Sequence, residues 1–406
     1  MALPSSCDVV VIGAGPAGSS SAALLHQAGF SVAVVEKQKF PRFVIGESLL
    51  PRVMDLLGEA DLLEAASSRG YTIKRGALFL RGNERCDFNF SDQHTKGWDH
   101  TWQVPRADFD KTLADAVEAR GVPFAYQREV VAVEPGPAPV VTLVDTGGKR
   151  QTIRARFVID ASGYGRVLPR LMGLDLPSKF PQRKAVFTHL KGDVRKPGPD
   201  ENRIWIVSLK SGGWSWIIPF SNGLTSLGIV GSPEAYEPFP AAPAACLRAM
   251  IASDDHFERL RHAEYEFEPR EISGYACTVK SLHGPGFALV GNATEFLDPV
   301  FSSGVTLALE SANRASKTLI RHLRGEAVDW EADYAAYMRR GIDVFRTYVS
   351  TWYDGSLPKI LYSLQSPEPV KKMICSVLAG YVWDESNPFV AQHARKLAQI
   401  ARLVGG

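Results

Sequence analysis

Three glycines, one acid, one lysine and two tryptophans carry most of the chemical information in this 406-residue chain. The glycines stand in Gly13-Ala14-Gly15-Pro16-Ala17-Gly18, and Glu36 follows 23 residues after the first of them. Glycines so spaced permit a tight turn and let the backbone approach a pyrophosphate. A helix starting there offers amide donors and a favourable dipole, and the acid can accept from a ribose hydroxyl. The lysine is Lys74, in Lys74-Arg75-Gly76-Ala77-Leu78-Phe79. Burial in apolar surroundings would push such an amine toward its neutral form. The tryptophans stand in Gly213-Trp214-Ser215-Trp216-Ile217-Ile218-Pro219. A spacing of two places both indoles on one face of a strand, where alone they would read as core. Farther on, Ser303 and Gly304 open a run that becomes helical by pattern, so their amides would face whatever lies at that helix start.

The elements that must hold these residues are legible. Val9-Val10-Val11-Ile12 is a β-branched run suited to a buried parallel strand. An alanine- and serine-rich helix follows to Gly29, then a second strand, Val32 to Val35, that delivers Glu36. This is a βαβ unit with the acid in place, and it predicts a nucleotide site. Runs at Ala77–Leu80, Arg183–Leu190, Ile204–Leu209, Trp214–Phe220 and Leu224–Val230 alternate and are punctuated by glycine, predicting a mostly antiparallel sheet. Pro238 to Pro243 reads as a linker before a helix, and Thr306 to Leu323 as a helix. From about Asp329 the pattern is helical, with Trp330, Tyr334, Tyr337, Phe345, Tyr348 and Trp352 suited to a helix–helix core.

Composition bounds the function. Such a length predicts two interleaved domains with a tail. A hydrophobic fraction of 45% and a charged fraction of 22% are those of a globular enzyme. The formal charge of +2, from 46 basic and 44 acidic residues, gives no reason to expect nucleic acid or an acidic membrane as partner. No apolar run approaches the ~20 residues of a membrane span, and the first residues lack the basic start of a secretory signal. Cys7, Cys86, Cys246, Cys277 and Cys375 are scattered, with no Cys-x-x-Cys pair, so neither a disulfide framework nor a metal site is expected. The expected compartment is the cytoplasm.

The W-x-W-x-I-P stretch, Lys74 in its K-x-G-A-x-F setting and the fingerprint together resemble the flavin-dependent halogenases, within the superfamily of FAD monooxygenases and geranylgeranyl reductases. The resemblance covers roughly the first 320 residues. Four further stretches carry it: Gly46-Glu47-Ser48-Leu49-Leu50-Pro51, Val104-Pro105-Arg106, Phe157-Val158-Ile159-Asp160 and Leu297-Asp298-Pro299 through Val305. Two departures matter. Asn292 stands where the family usually has an aspartate. Phe301 stands where tryptophan-type halogenases place a glutamate, which with the shorter chain points to the phenol and pyrrole type.

The resemblance implies an α/β fold: a Rossmann-like FAD-binding domain of monooxygenase type, an antiparallel substrate sheet and a C-terminal helical region. The implied pieces are 1–75, 100–175 and 280–325 for FAD, 76–99 and 176–279 for the substrate sheet, and 326–406 for the helices. It implies FAD contacts at Gly13, Gly15, Ala17, Gly18, Glu36, Lys37, Arg42, Ser48, Arg106, Asp160, Asn292, Asp298, Ser303, Gly304 and Val305, with chloride or bromide at Ser303 and Gly304. Reduced FAD, supplied by a separate flavin reductase, would turn O2 and halide into hypohalous acid. That would travel a passage beside Trp214 and Trp216 to Lys74, which presents it to an electron-rich phenol or pyrrole, free or on a carrier protein. The tryptophans would keep the ring away from the flavin, and Phe301 would form an apolar wall near Lys74. The rivals sharing the scaffold are a geranylgeranyl-type reductase and an aromatic hydroxylase.

Overall fold

The computed structural model describes residues 3–178, 180–363 and 367–404. Its first layer is a six-stranded sheet in the order His283–Gly284, Phe287–Leu289, Phe157–Asp160, Val9–Ile12, Val32–Glu36 and Phe124–Tyr126. All pairings are parallel except that of the first two strands. The Val9–Ile12 strand is wholly buried, as a near-continuous apolar run in a sheet covered on both faces must be. Helices Pro16–Gln27 and Ser303–Leu323 pack on one face. A three-stranded antiparallel sheet, Arg128–Glu134, Val140–Asp145 and Arg150–Arg154, packs on the other.

The second layer is an eight-stranded sheet that includes Gly76–Arg81, Glu84–Asn89, Lys184–Lys191, Ile204–Ser208, Trp214–Pro219 and Thr225–Gly231. It is antiparallel save for one pairing, Ile204–Ser208 beside Gly76–Arg81. Its back carries the Pro243–Ser253 helix over a separate apolar cluster. Its front faces the nucleotide-type sheet and encloses the main cavity.

C-terminal helices Ala336–Tyr353, Ser356–Tyr362 and Glu368–Leu378 close one side. Tyr334, Phe345, Tyr348 and Trp352 are buried there as core aromatics. The helix anticipated from Thr306 begins earlier, at Ser303, because Ser302 turns the chain in a left-handed conformation (φ 56°, ψ 23°) and its side chain makes no capping bond. The anticipated strand runs all appear, each within a residue or two of its expected bounds.

Candidate active site

Each fingerprint glycine does something different. Gly13 has φ +99°, and a Cβ there would stand 2.6 Å from the Ala161 carbonyl oxygen. A Cβ on Gly18 would stand 1.9 Å from the Gly13 carbonyl oxygen, so Gly18 serves close packing within the turn. A Cβ on Gly15 would meet the tip of the Arg42 side chain at 3.3 Å and, at ordinary contact distance, the Asp110 carboxylate at 4.0 Å. The fold itself leaves room at Gly15, and that room opens onto the main cavity.

The Pro16–Gln27 helix starts at Gly15 with no side-chain cap and no acid in its first turn, so its amide dipole points at the cavity uncompensated. Glu36 is 7% exposed; its carboxylate accepts from the Ala14 amide at 2.9 Å and the Gln38 amide at 2.9 Å. It is thereby fixed at the end of its strand, where a ribose would arrive.

The cavity measures 550 Å³. Of the anticipated contacts, Gly13, Gly15, Ala17, Glu36, Lys37, Arg42, Ser48, Arg106, Asn292, Gly304 and Val305 line it, as do Trp214 and Trp216. Gly18, Asp160, Asp298 and Ser303 do not line it, and Asp298 borders a second cavity with Arg183 and Tyr275. Asp160 is fully buried and accepts from the Ser162 amide at 2.9 Å and the Leu168 amide at 2.7 Å, holding the loop after its strand. Burial pushes its carboxyl above the usual range, against those bonds. The Lys37 ammonium points away, to Glu129 at 2.8 Å.

Arg106 was expected to reach toward a cofactor. Four of its donor bonds go to protein: two to Asp110 at 2.7 and 3.1 Å, and two to the carbonyls of Ile45 and Gly46 at 3.0 and 3.1 Å. It braces the 43–48 loop more than it offers free donors. Arg42 gives one bond to the same Asp110, at 3.1 Å, and has more N–H groups left for a phosphate. Asp110, the buried residue that aligns both arginines, was not anticipated; its i+4 spacing from Arg106 was the available signal.

Lys74 and the tryptophans are both buried but not equally placed. Lys74 lies on Thr72–Lys74, paired with Thr101–Gln103. It is 3% exposed, donates to the Leu49 carbonyl at 2.7 Å and lies 5.5 Å from the Phe90 ring centre. Burial alone lowers its titration to about 7, so near neutrality a substantial share is free amine. It is not part of the cavity lining. Glu47 and Ser48 line that wall, and Leu49, whose carbonyl holds Lys74, follows them. The expected open passage to Lys74 is thus not part of this lining: the 47–49 segment lies between the cavity and Lys74, zipped to the strand beyond by Leu49 N–H to the Trp102 carbonyl at 3.0 Å. Phe301 likewise does not line the cavity; its ring packs edge-on against Tyr348 and Trp352.

The tryptophan strand is anchored by contacts invisible to sequence. The Trp216 indole donates to Ser226 Oγ at 3.0 Å. The Trp214 indole donates to the Tyr353 hydroxyl at 3.0 Å, and Tyr353 donates to Asp298 at 2.8 Å. An indole N–H can only donate, so the direction of this chain is forced. Asp298 also accepts from the Val300 amide at 3.0 Å and Tyr275 at 3.4 Å. Burial raises its carboxyl to about 6 despite these bonds. The Arg183 guanidinium lies 3.3 Å from the Tyr353 ring centre, closing the group. One more buried pair borders the cavity: Glu47 and His189 Nε2, 2.6 Å apart.

The FAD binding domain family matches residues 6–343. A 1H-pyrrole-2-carbonyl-(peptidyl-carrier protein) brominase of Pseudoalteromonas luteoviolacea is 30% identical over 338 residues, spanning 82% of this chain and 81% of the brominase. The chain belongs to the flavin-dependent halogenases. A tryptophan 2-halogenase of Chondromyces crocatus is 33% identical over 349 residues, 84% of this chain and 66% of that protein. Among solved structures, a flavoprotein/dehydrogenase from Cytophaga hutchinsonii is 51% identical with TM-score 0.96, covering 98% of this chain and 99% of that one.

As a member of this family the enzyme is FAD-dependent, and its cavity fits the cofactor on its own features. The space kept open at Gly15, the uncapped helix start and the fixed Glu36 carboxylate all face one volume. Among the described residues no cluster of potential metal ligands occurs, and no helix is long and apolar enough to cross a membrane.

Proposed function

We propose that this halogenase acts on an electron-rich phenol or pyrrole, free or held on a carrier protein, with Lys74 presenting the electrophilic halogen. Bound reduced FAD, with O2 and halide, supplies hypohalous acid. The protein's own part is to hold, exclude and deliver. Gly13, Gly15, Ala17 and Arg42 receive the diphosphate and Glu36 the ribose, while Asn292 and Ser48 face the middle of the cofactor. The first amides of the Ser303–Leu323 helix, at Ser303, Gly304 and Val305, offer donors to the ring edge and to halide. Trp214 and Trp216 wall the cavity and keep an organic ring out. The reading carries the expected division into a discontinuous FAD-binding domain, a roof sheet and a helical cover. It also includes a separate flavin reductase as electron source and a cytoplasmic setting.

The observation that carries the proposal is Lys74. An amine fully enclosed, with its titration brought to about 7, is suited to bind hypohalous acid as ammonium or to take up halogen as free amine. No glutamate stands at the position of Phe301, so positioning of an activated ring supplies the rate in place of a strong base. The relative that brominates pyrrole on a peptidyl carrier protein supports the ring class and the carrier. The test is mass spectrometry of products formed with reduced FAD, O2 and bromide from free and carrier-bound phenols and pyrroles. A mono-brominated ring is expected. Oxidation of a pyridine nucleotide without halide, leaving the ring unmodified, refutes the proposal in favour of a reductase.

A further inference from the structure

Ser48 Oγ, Thr101 Oγ1 and Gln103 Oε1 are enclosed and have no hydrogen-bond partner. Strand pairing brings them together. Lys74 lies opposite Thr101 in the antiparallel ladder, so the two side chains share a face. Gln103, two residues on, has the same face. Ser48 lies opposite Gln103 in an isolated antiparallel bridge. Exposures are 5% for Ser48, 3% for Lys74 and 0% for both Thr101 and Gln103.

The four residues also join two places. Ser48 lines the cofactor cavity; Lys74 does not. Gln103 is held in one orientation because its amide nitrogen donates to the Pro219 carbonyl at 2.7 Å and the Asn202 carbonyl at 3.1 Å, leaving its oxygen free to accept. Pro219 ends the tryptophan strand, so the same side chain ties that wall to this group. Lys74 spends one N–H on Leu49 and keeps two. An unpaired buried hydroxyl is costly, and valine would fill the place of Thr101 with the same shape. The leftover groups comprise ammonium donors, two hydroxyls and one carbonyl acceptor. They match a molecule that donates once and accepts.

We propose that Ser48, Thr101, Gln103 and Lys74 form a niche for one small hydroxylic molecule, water at rest and hypohalous acid in turnover, through which the oxidant passes from the cavity to Lys74. The transit role rests on the halogenase reading of Lys74; the niche itself does not. Ser48, Thr101 and Gln103 act as positioning residues.

The test compares the FAD-loaded wild type with Ser48→Ala, Thr101→Val and Thr101→Ser. Crystals are expected to show one ordered oxygen among the three side chains, lost in Thr101→Val and kept in Thr101→Ser. A dry niche in the wild type overturns the binding site whether or not the enzyme oxidises halide. The second readout divides oxidised bromide between ring product and a small diketone trap in solution. Thr101→Val should oxidise reduced FAD at the wild-type rate and melt no lower than wild type, while Ser48→Ala is read only by the ordered oxygen and by how its oxidised bromide divides. The product-to-trap ratio should fall about tenfold in both and recover in Thr101→Ser. A ratio unchanged in both variants overturns the transit role. A wild type that yields neither product nor trapped halogen refutes the halogenase reading, and the ordered oxygen then decides the niche alone.

Discussion

Lys74 gives a prediction in which stability and activity move in opposite directions. Replacing it by methionine keeps the length and apolar stem and removes the amine. Lowering the lysine from 10.5 to about 7 by burial means that the folded state carries roughly 5 kcal/mol of cost when the amine is charged, at about 1.4 kcal/mol per tenfold change. The sign follows from proton counting. Below pH 7 both folded and unfolded states hold the proton and the full cost is present. Between the folded value of about 7 and the ordinary value of 10.5 the unfolded state binds more protons, so wild-type stability rises with pH. Lys74→Met removes that cost but leaves the Leu49 carbonyl unpaired, a loss of about 1–3 kcal/mol. The variant should therefore be more stable than wild type by roughly 2–4 kcal/mol at pH 6. The advantage should shrink by about 1.4 kcal/mol for each pH unit above 7. Urea denaturation at pH 6, 8 and 9 measures the difference, and taking the difference cancels the other titrating groups. Halogenated product should vanish while reduced FAD is still oxidised. A variant less stable than wild type at pH 6, or a difference that does not change with pH, refutes the enclosed, partly neutral lysine on which the reasoning depends.

Gly15→Val should fold, because the nearest atom to its new Cβ is a movable arginine tip at 3.3 Å, yet be purified without the yellow cofactor; full FAD occupancy by absorbance would contradict the placement. Tyr353→Phe leaves the Trp214 indole proton without a partner and should cost about 1–3 kcal/mol in thermal unfolding, with more oxidant lost to solution per ring halogenated; an unchanged melting temperature and unchanged yield would show that the bond to Tyr353 does not hold Trp214. Asp298 sits at about 6 in the folded state against an ordinary 3.8, so its contribution is complete below 3.8 and is lost as pH rises through 6. Wild type should lose roughly 3 kcal/mol relative to Asp298→Asn between pH 3 and 7, and parallel stability curves for the two would refute the assignment.

How much could be seen before folding depends on how local each feature is. The βαβ unit was legible because the run Val9–Ile12, the glycines and Glu36 lie within one short stretch, and turn, helix start and strand end follow from backbone chemistry there. The tryptophan strand was legible from its spacing of two, and the roof sheet from alternation and glycine. The family resemblance rested on the same short motifs. Lys74 was legible as a residue type in a motif, but its burial was not, since that is produced by Thr101–Gln103 and Leu49, 27 and 25 positions away.

Other features depended on partners distant in the chain. Asp110 became the common partner of Arg42 and Arg106 only when a helix met the loop after the second strand. The bond from Trp214 to Tyr353 spans 139 residues and that from Tyr353 to Asp298 spans 55. Whether a tyrosine in a helical pattern is core or strut depends on which strand it lands beside, and periodicity reports only that one face is buried. The sequence by itself determined the cofactor-binding unit, the strand that carries the two indoles and the chemistry its side chains can perform. Tertiary structure alone decided which buried polar groups meet, because desolvation and hydrogen-bond pairing are set by neighbours distant in the chain. It placed Lys74 behind the 47–49 segment, Trp214 at the end of a chain leading to Asp298, and Ser48, Thr101 and Gln103 on one face.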